Sequence, residues 1–219
     1  EYNSTFAVTA KDGSRYALRI NINSGRTEAN IAAELFFVNA LAQARTVKVA
    51  TPIRNQDGNF VTKVRHDESD RELYCVLFSW LEGEDVGDEP GLDVVYQVGA
   101  AMAKMHDATK DLNLPQGADL PLLDDFMWHV EDLLLGPKSL LTAEEQSKIG
   151  GARTAIEAVV AELFTQASEQ LIHADLHGWN LKFHNEELAV FDFDDSGFGL
   201  PIQDLSLIHI SEPTRQAEI

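Results

Sequence analysis

The pattern of apolar residues changes character near residue 80, and this change most constrains the fold. Before it, the chain predicts four short strands and one helix, namely strands at 5–8, 15–20, 59–64 and 72–79 and a helix at 27–44. Asp12-Gly13 lies between the first two strands, and Asp-Gly between apolar runs is a strong hairpin signal. The first part of the chain is therefore expected to be a small antiparallel sheet with one inserted helix.

After this sheet the pattern becomes mainly helical. Residues 81–91 are rich in Gly, Glu and Asp and are typical of a linker. The segments that follow are helices predicted at 93–108, 122–135 and 142–166, a short strand at 171–172, and a hairpin of 181–183 with 188–193. This order predicts an α+β chain with two lobes, and ligands often bind in the cleft between such lobes.

Composition excludes some classes of function. The 219 residues include 17 basic and 36 acidic side chains, for a formal charge of -19, with no Lys/Arg cluster of the kind that binds nucleic acid. No apolar stretch is long enough to cross a bilayer, so no membrane partner is expected. The single cysteine, Cys75, permits a reducing compartment. We expect a cytoplasmic protein, and the sequence does not indicate its oligomeric state.

Polar residues that suit phosphoryl transfer are concentrated near the end of the chain. Asp175 and Asn180 lie five residues apart in a predicted loop, and Asp192 follows an apolar strand. Phosphoryl transfer needs a carboxylate that orients the acceptor hydroxyl, and hard oxygen ligands that hold Mg²⁺ against the phosphates of ATP. One Asp as the base, with one Asn and one Asp on the metal, forms such a set.

The sequence motifs around these residues point to a particular family. The strings HADLHGWN at 173–180, FDFDDSGFG at 191–199 and PIQDL at 201–205 resemble the aminoglycoside phosphotransferase-like family, which includes choline and homoserine kinases and has a protein-kinase-like fold. Ala174 stands where the family usually has Gly. The resemblance implies that the catalytic base is Asp175, that the Mg²⁺ ligands are Asn180 and Asp192, and that the loop is supported by His173 and Asp204.

The resemblance extends upstream to a nucleotide site. In YALRI, Arg19 stands where the family commonly has a Lys that binds the α- and β-phosphates. Its candidate ion-pair partner is Glu34, with Glu28 as the alternative. The string LFSWLEGE resembles the inter-lobe hinge, whose backbone would meet the adenine of ATP at Ser79, Trp80 and Leu81.

The same resemblance divides the chain. It implies an N-lobe at 1–80 that lacks most of its phosphate-covering loop, a hinge at 81–91, and a C-lobe at 92–206 that lacks its last helices. Residues 205–215 read LSLIHISEPTR, which resembles the translation of a sequencing-library adapter. We therefore expect residues 207–219 to be a non-native tail.

These observations favour an ATP- and Mg²⁺-dependent phosphotransferase whose acceptor is a hydroxyl of a small molecule, such as an aminoglycoside, choline or homoserine. Alternatives that stay open are a bacterial protein Ser/Thr kinase of the same fold and a non-catalytic binding module. A further alternative is a metal-dependent hydrolase that uses His173, Asp175 and His177, because alternating His and Asp can ligate zinc. His177 could otherwise be a substrate contact or a loop residue, and His106 is expected to be structural.

Overall fold

The computed structural model describes residues 3–23, 25–125 and 131–211, with side chains as far as residue 206. Its elements, in chain order, are β1 Asn3–Thr9, β2 Arg15–Asn21, α1 Glu28–Ala44, β3 Lys48–Val49, β4 Pro52–Ile53, β5 Val61–His66, β6 Arg71–Ser79, β7 Glu84–Asp85, α2 Leu92–Thr109, α3 Ala143–Gln166, β8 Gln170–Ile172, β9 Leu181–His184, β10 Glu187–Val190, β11 Gly197–Gly199 and α4 Pro201–Ser211. A single 3-10 turn, Gly178–Asn180, precedes β9. The mixed helix and sheet content confirms the predicted α+β class.

The first lobe is an antiparallel sheet with α1 on one face. The strand order is β1-β2-β6-β4, and β5 also pairs with β6. Thr27 begins α1 with a capping box, in which its side chain and that of Asn30 accept each other's backbone N–H. Ile31 and Leu35 of α1 pack against Val76 of β6. The sheet and helix therefore form the first core.

Helix α1 also belongs to the second core. Phe37 and Leu41 on α1 pack with Met105 of α2 and with Leu181 of β9. Because α1 buries side chains against both cores, it holds the two lobes together, and its polar residue Glu34 is 3% exposed. This position brings a carboxylate from the first lobe to the cleft.

The prediction of a helix at 122–135 is wrong for the residues that the structure describes. Leu122 instead forms a parallel bridge with Phe198, and the Leu123 N–H donates to the Phe198 carbonyl at 2.7 Å. Residues 131–135 are not helical either, while 126–130 lie outside the described residues. Backbone pairing with β11 buries Leu123, and this tertiary contact overrides the helical spacing. Conversely, α3 continues without interruption through Gly150-Gly151.

The segment predicted as a linker packs against the second lobe. Its strand β7 pairs with β9, and the Val86 N–H then donates to the Leu181 carbonyl at 3.0 Å. The Gly87 N–H donates to the Gly178 carbonyl at 3.1 Å. At the other end, α4 continues to Ser211, and the rest of the predicted tail, 212–219, lies outside the described residues. None of the described helices has both the length and the apolar character to span a bilayer.

Gly178 is expected to tolerate no side chain. A Cβ at this position would overlap the carbonyl oxygen of Gly87, which belongs to the backbone and cannot rotate away. Gly178→Ala should lower the free energy of unfolding by about 1–3 kcal/mol, as overpacking does. Urea unfolding measures this change. Gly151→Ala is the control, because a Cβ there meets nothing within 4 Å and should stabilise α3 by about 0.5–1 kcal/mol. An equal gain in the free energy of unfolding for Gly178→Ala and Gly151→Ala would contradict the close approach of Gly178 to Gly87.

Candidate active site

The loop that follows β8 is held by the carboxylate of Asp204. This carboxylate is fully buried at the start of α4 and accepts the backbone N–H of His173 at 3.2 Å and of Ala174 at 2.7 Å. The Nε2 of His106 on α2 lies 2.8 Å from the same carboxylate. Asp204 thus lies where the sequence predicted a supporting acid, and it joins α2, α4 and the loop.

Ala174 adopts a left-handed backbone. Its φ is +66°, a region in which an L side chain is strained and glycine is not. This conformation explains why the resembling family commonly has Gly here. The two N–H bonds to Asp204 involve residues 173 and 174, so the buried carboxylate helps to hold this conformation.

His173 connects the loop to the segment that follows β10. Its Nε2 lies 3.0 Å from the Phe191 carbonyl, which can only accept, and its Nδ1 accepts the Asp175 N–H at 3.3 Å. The ring packs on Phe193 with centroids 4.4 Å apart. Burial lowers the pKa of His173, so the imidazole is neutral.

The hydrolase alternative does not fit this arrangement. Both ring nitrogens of His173 already have protein partners, so His173 cannot also ligate zinc with Asp175 and His177. Within the ranges that the structure describes, no group of three His, Cys, Asp or Glu side chains is placed to hold a metal. The three alternating residues form a hydrogen-bonded loop instead.

Asn180 is bonded directly to Asp175. Its Nδ2 donates to the Asp175 backbone carbonyl at 2.8 Å and to Oδ2 of the Asp175 side chain at 2.9 Å. Because both acceptors can only accept, this network assigns the amide nitrogen and leaves Oδ1 of Asn180 for a cation. The Phe191 N–H donates to the Asn180 carbonyl at 3.1 Å, which places Asp192 next to Asn180 across the strand ends.

Asp192 lies in an electronegative corner of the cleft. Its φ is +63°, and its carboxylate lies 3.9 Å from the guanidinium of Arg19. Desolvation, followed by repulsion from Asp194, raises the pKa of Asp192 to about 7, although Arg19 opposes this shift. The same two causes raise the pKa of Asp195 to about 6. Ionised carboxylates are therefore costly here unless a cation binds.

Arg19 forms a buried, bidentate ion pair with Glu34. The two N···O distances are 2.8 and 2.6 Å, and both residues are less than 5% exposed. Burial acts to lower the pKa of Arg19, but Glu34 outweighs it and the pKa is raised. The alternative partner, Glu28, pairs with Lys63 at 2.7 Å. Arg19 thus links β2, α1 and the Asp192 loop.

A cavity of about 160 Å³ lies between the lobes at this ion pair. Its walls include Arg19, Glu34 and Asp192, with the apolar side chains of Ala17 and Phe78. A larger open cleft of about 740 Å³, next to α2 and the β9–β10 hairpin, contains none of the predicted site residues. Volume alone therefore does not locate the site, whereas the carboxylates and the guanidinium do.

The predicted hinge residues do not line this cavity. The Ser79 N–H donates to the Thr51 carbonyl at 2.8 Å, so it is not free for an adenine. Trp80 lies under the guanidinium of Arg15, 3.8 Å from the ring centroid, and Leu81 is 8% exposed. An adenine contact in this segment would have to come from the Ser79 carbonyl or from residues after it, and these contacts stay a prediction.

Sequence reasoning missed three polar contacts around the site. His106 is structural, as expected, but its partner Asp204 lies 98 residues away. Asn3 donates to Asp194 at 2.6 Å, and Arg26 lies 3.7 Å from Asp195. Each contact joins distant segments of the chain, and no local spacing signals it.

A family model described as the phosphotransferase enzyme family matches residues 1–218. The chain belongs to this family. It is 25% identical over 200 residues to amicoumacin kinase of Bacillus subtilis (strain 168), and the match covers 90% of this chain and 57% of that protein. The chain spans about half the length of the curated relatives it matches.

Solved structures of low sequence identity share the fold. The structure of a microcompartment-associated aminopropanol kinase matches with a TM-score of 0.75 at 24% identity, over 94% of this chain and 66% of that one. The structure of amicoumacin kinase hAmiN, in complex with AMP-PNP, Ca²⁺ and Ami, matches with a TM-score of 0.73 at 22% identity, over 94% and 60%. The predicted family resemblance and kinase-like fold are thereby confirmed.

The proton on Asp192 should make stability depend on pH. The folded chain keeps this proton up to about pH 7, whereas the unfolded carboxyl loses it near 3.8, so the folded state binds more protons between these values. Linkage then makes the free energy of unfolding fall as pH rises through this window. Urea unfolding of metal-free protein at several pH values should show wild type losing stability relative to Asp192→Asn. If the free energies of unfolding of the two proteins ran parallel across this pH range, the raised pKa of Asp192 would be contradicted.

Proposed function

We propose that this chain carries the catalytic centre of a kinase that transfers the γ-phosphoryl group of ATP to a hydroxyl of a small molecule. The observation that supports the proposal is the bonded set of Asp175, Asn180 and Asp192. The amide of Asn180 fixes the Asp175 carboxylate at 2.9 Å, and the backbone bond between Phe191 and Asn180 brings Asp192 beside it. Phosphoryl transfer depends on this kind of positioning more than on covalent chemistry.

Each residue has a role in this proposal. Asp175 orients the acceptor hydroxyl and receives its proton. Arg19, held by Glu34, faces the cavity with a permanent positive charge that suits phosphate oxygens. His173 and Asp204 hold the loop through the bonds described above.

The donor set at Asn180 and Asp192 fits Mg²⁺. An amide oxygen and one carboxylate are hard oxygen ligands, and Mg²⁺ is commonly held by one or two such groups together with substrate phosphates. When bound, Mg²⁺ would neutralise charge that develops on the phosphates. The raised pKa of Asp192 supports this reading, because desolvation and the nearby Asp194 both disfavour the ionised carboxylate, which a bound cation would stabilise.

The class of acceptor is proposed from the relatives. Amicoumacin kinase and aminopropanol kinase are named for small-molecule acceptors, and this favours a small molecule over a protein as the acceptor here.

Asp175→Asn should lower turnover and spare nucleotide binding. Loss of a general base typically costs about 10²–10⁴-fold in rate. Transfer from radiolabelled ATP to a panel of hydroxyl compounds, including amicoumacin and aminopropanol, measures turnover, and calorimetry measures ATP affinity. Glu186→Gln, in the exposed turn between β9 and β10, is a charge-matched control that should change neither. Equal turnover in wild type and Asp175→Asn would remove Asp175 from the mechanism.

Binding of ATP should depend on Mg²⁺ through Asp192. A thermal-shift titration with ATP should stabilise the chain more with Mg²⁺ than with EDTA, because a ligand that binds only the folded state raises its stability. In Asp192→Ala this difference should disappear, while Glu187→Ala on β10 should retain it. An undiminished Mg²⁺ effect in Asp192→Ala would place the metal elsewhere.

A further inference from the structure

We propose that His177 is a positioning residue that directs one oxygen of the Asp175 carboxylate towards the acceptor hydroxyl. The proposal rests on the proposed function, because it deepens the role of Asp175 as the base. His177 lies two residues after Asp175, and its Nε2 is 3.3 Å from Oδ2 of Asp175. The two side chains are 31% and 37% exposed, so they lie at the mouth of the site and not in the core.

The backbone around His177 assigns its tautomer. The Trp179 N–H donates to Nδ1 of His177 at 3.2 Å, so the imidazole begins the 3-10 turn as its side-chain cap. A nitrogen that accepts an N–H bond carries no proton, and the proton of the neutral ring must therefore be on Nε2. The Nε2–H then has Oδ2 of Asp175 as its acceptor.

Asn180 is the second donor to the same oxygen. Its Nδ2 lies 2.9 Å from Oδ2 of Asp175 and 3.3 Å from Nε2 of His177. Two nitrogens that both carry protons do not bond each other, so the 3.3 Å distance reflects two donors that converge on Oδ2. Since Oδ2 receives both bonds, Oδ1 is the oxygen that the geometry leaves for the acceptor hydroxyl. His177 thus fixes which carboxylate oxygen acts.

The segment after β7 holds this arrangement from outside. The indole Nε1 of Trp179 donates to Asp88 at 2.8 Å, and Gly87 bonds the carbonyl of Gly178 at 3.1 Å. These two contacts fix the peptide whose N–H selects the tautomer of His177. The segment predicted as a linker therefore supports the geometry of Asp175 through the turn.

The tautomer can be tested without any assay of activity. Long-range ¹H–¹⁵N correlation spectra of the labelled chain, at a mildly alkaline pH where free imidazole is neutral, identify which ring nitrogen carries the proton. The His177 signals are assigned by their loss in His177→Gln. We expect the Nε2–H form in wild type and in Trp179→Ala, which keeps the backbone N–H. Trp179→Pro removes this backbone N–H and also fixes φ at the position. It should show a mixture of the Nδ1–H and Nε2–H forms of His177, in contrast to Trp179→Ala.

Kinetics test whether the hydrogen bond positions Asp175. His177→Leu should lower kcat by about tenfold and leave KM for Mg-ATP unchanged. Loss of a partner that orients a functional group typically costs about 10–100-fold, and we expect the lower end of this range. His177→Gln, whose amide can donate to Oδ2, should retain most of kcat. A structural role alone would lower both variants equally or would change KM as well.

Each outcome has one meaning. An Nδ1–H form of His177 in wild type overturns the proposal, as does equal loss of kcat in the Gln and Leu variants. The Nε2–H form together with rescue by Gln supports it. A wild-type chain that binds Mg-ATP but phosphorylates no compound in the panel counts against the proposed function, whereas the tautomer still decides whether His177 donates to Asp175.

Discussion

Asp204 supplies the buried negative charge around which the candidate site is arranged. Its carboxylate has no exposure to water and is stabilised by two backbone N–H groups of the loop that follows β8 and by His106. A buried charge that loses one partner commonly costs 3–5 kcal/mol, so the fold is expected to keep all three donors in place. Two of these donors are the peptides before Asp175. The left-handed conformation of Ala174 and the direction of the Asp175 side chain are therefore consequences of where α4 begins.

The local part of the site could be predicted from the sequence. A turn separates Asp175 from Asn180, and one short hairpin separates Asn180 from Asp192. Pairing of β9 with β10 is therefore enough to bring the three residues together. The types of side chain then indicate the chemistry. The family resemblance also predicted the pairing of Arg19 with Glu34, on the helix that follows the Arg19 strand. What the sequence left open was the choice between Glu34 and Glu28, which burial decides.

The contacts that sequence reasoning missed are the long-range ones. His106 and Asp204 are 98 residues apart, and Trp179 and Asp88 are 91 apart, so no periodicity connects them. The same limitation explains the wrong helix. The spacing of apolar residues after Leu122 is helical, but the backbone of residues 121–123 bonds to Phe198 of β11, far along the chain. Hydrogen bonds to a distant strand satisfy the backbone groups that a helix would have used.

Charge in the cleft explains why the site calls for a cation. Asp192, Asp194 and Asp195 occur within four residues, while Arg19 is bonded bidentately to Glu34 and lies 3.9 Å from Asp192. At about 4 Å two unit charges interact by about 1 kcal/mol in water and about 4 kcal/mol at the effective dielectric constant near a protein surface. Arg19 is shared between Glu34 and Asp192, and Arg26 lies 3.7 Å from Asp195, so two guanidinium groups face four carboxylates. Desolvation and the repulsion from Asp194 therefore raise the pKa of Asp192 in spite of Arg19. If the proposed function holds, a proton and a divalent cation would compete for the Asp192 carboxylate, and nucleotide phosphates would bind best where the cation has displaced the proton.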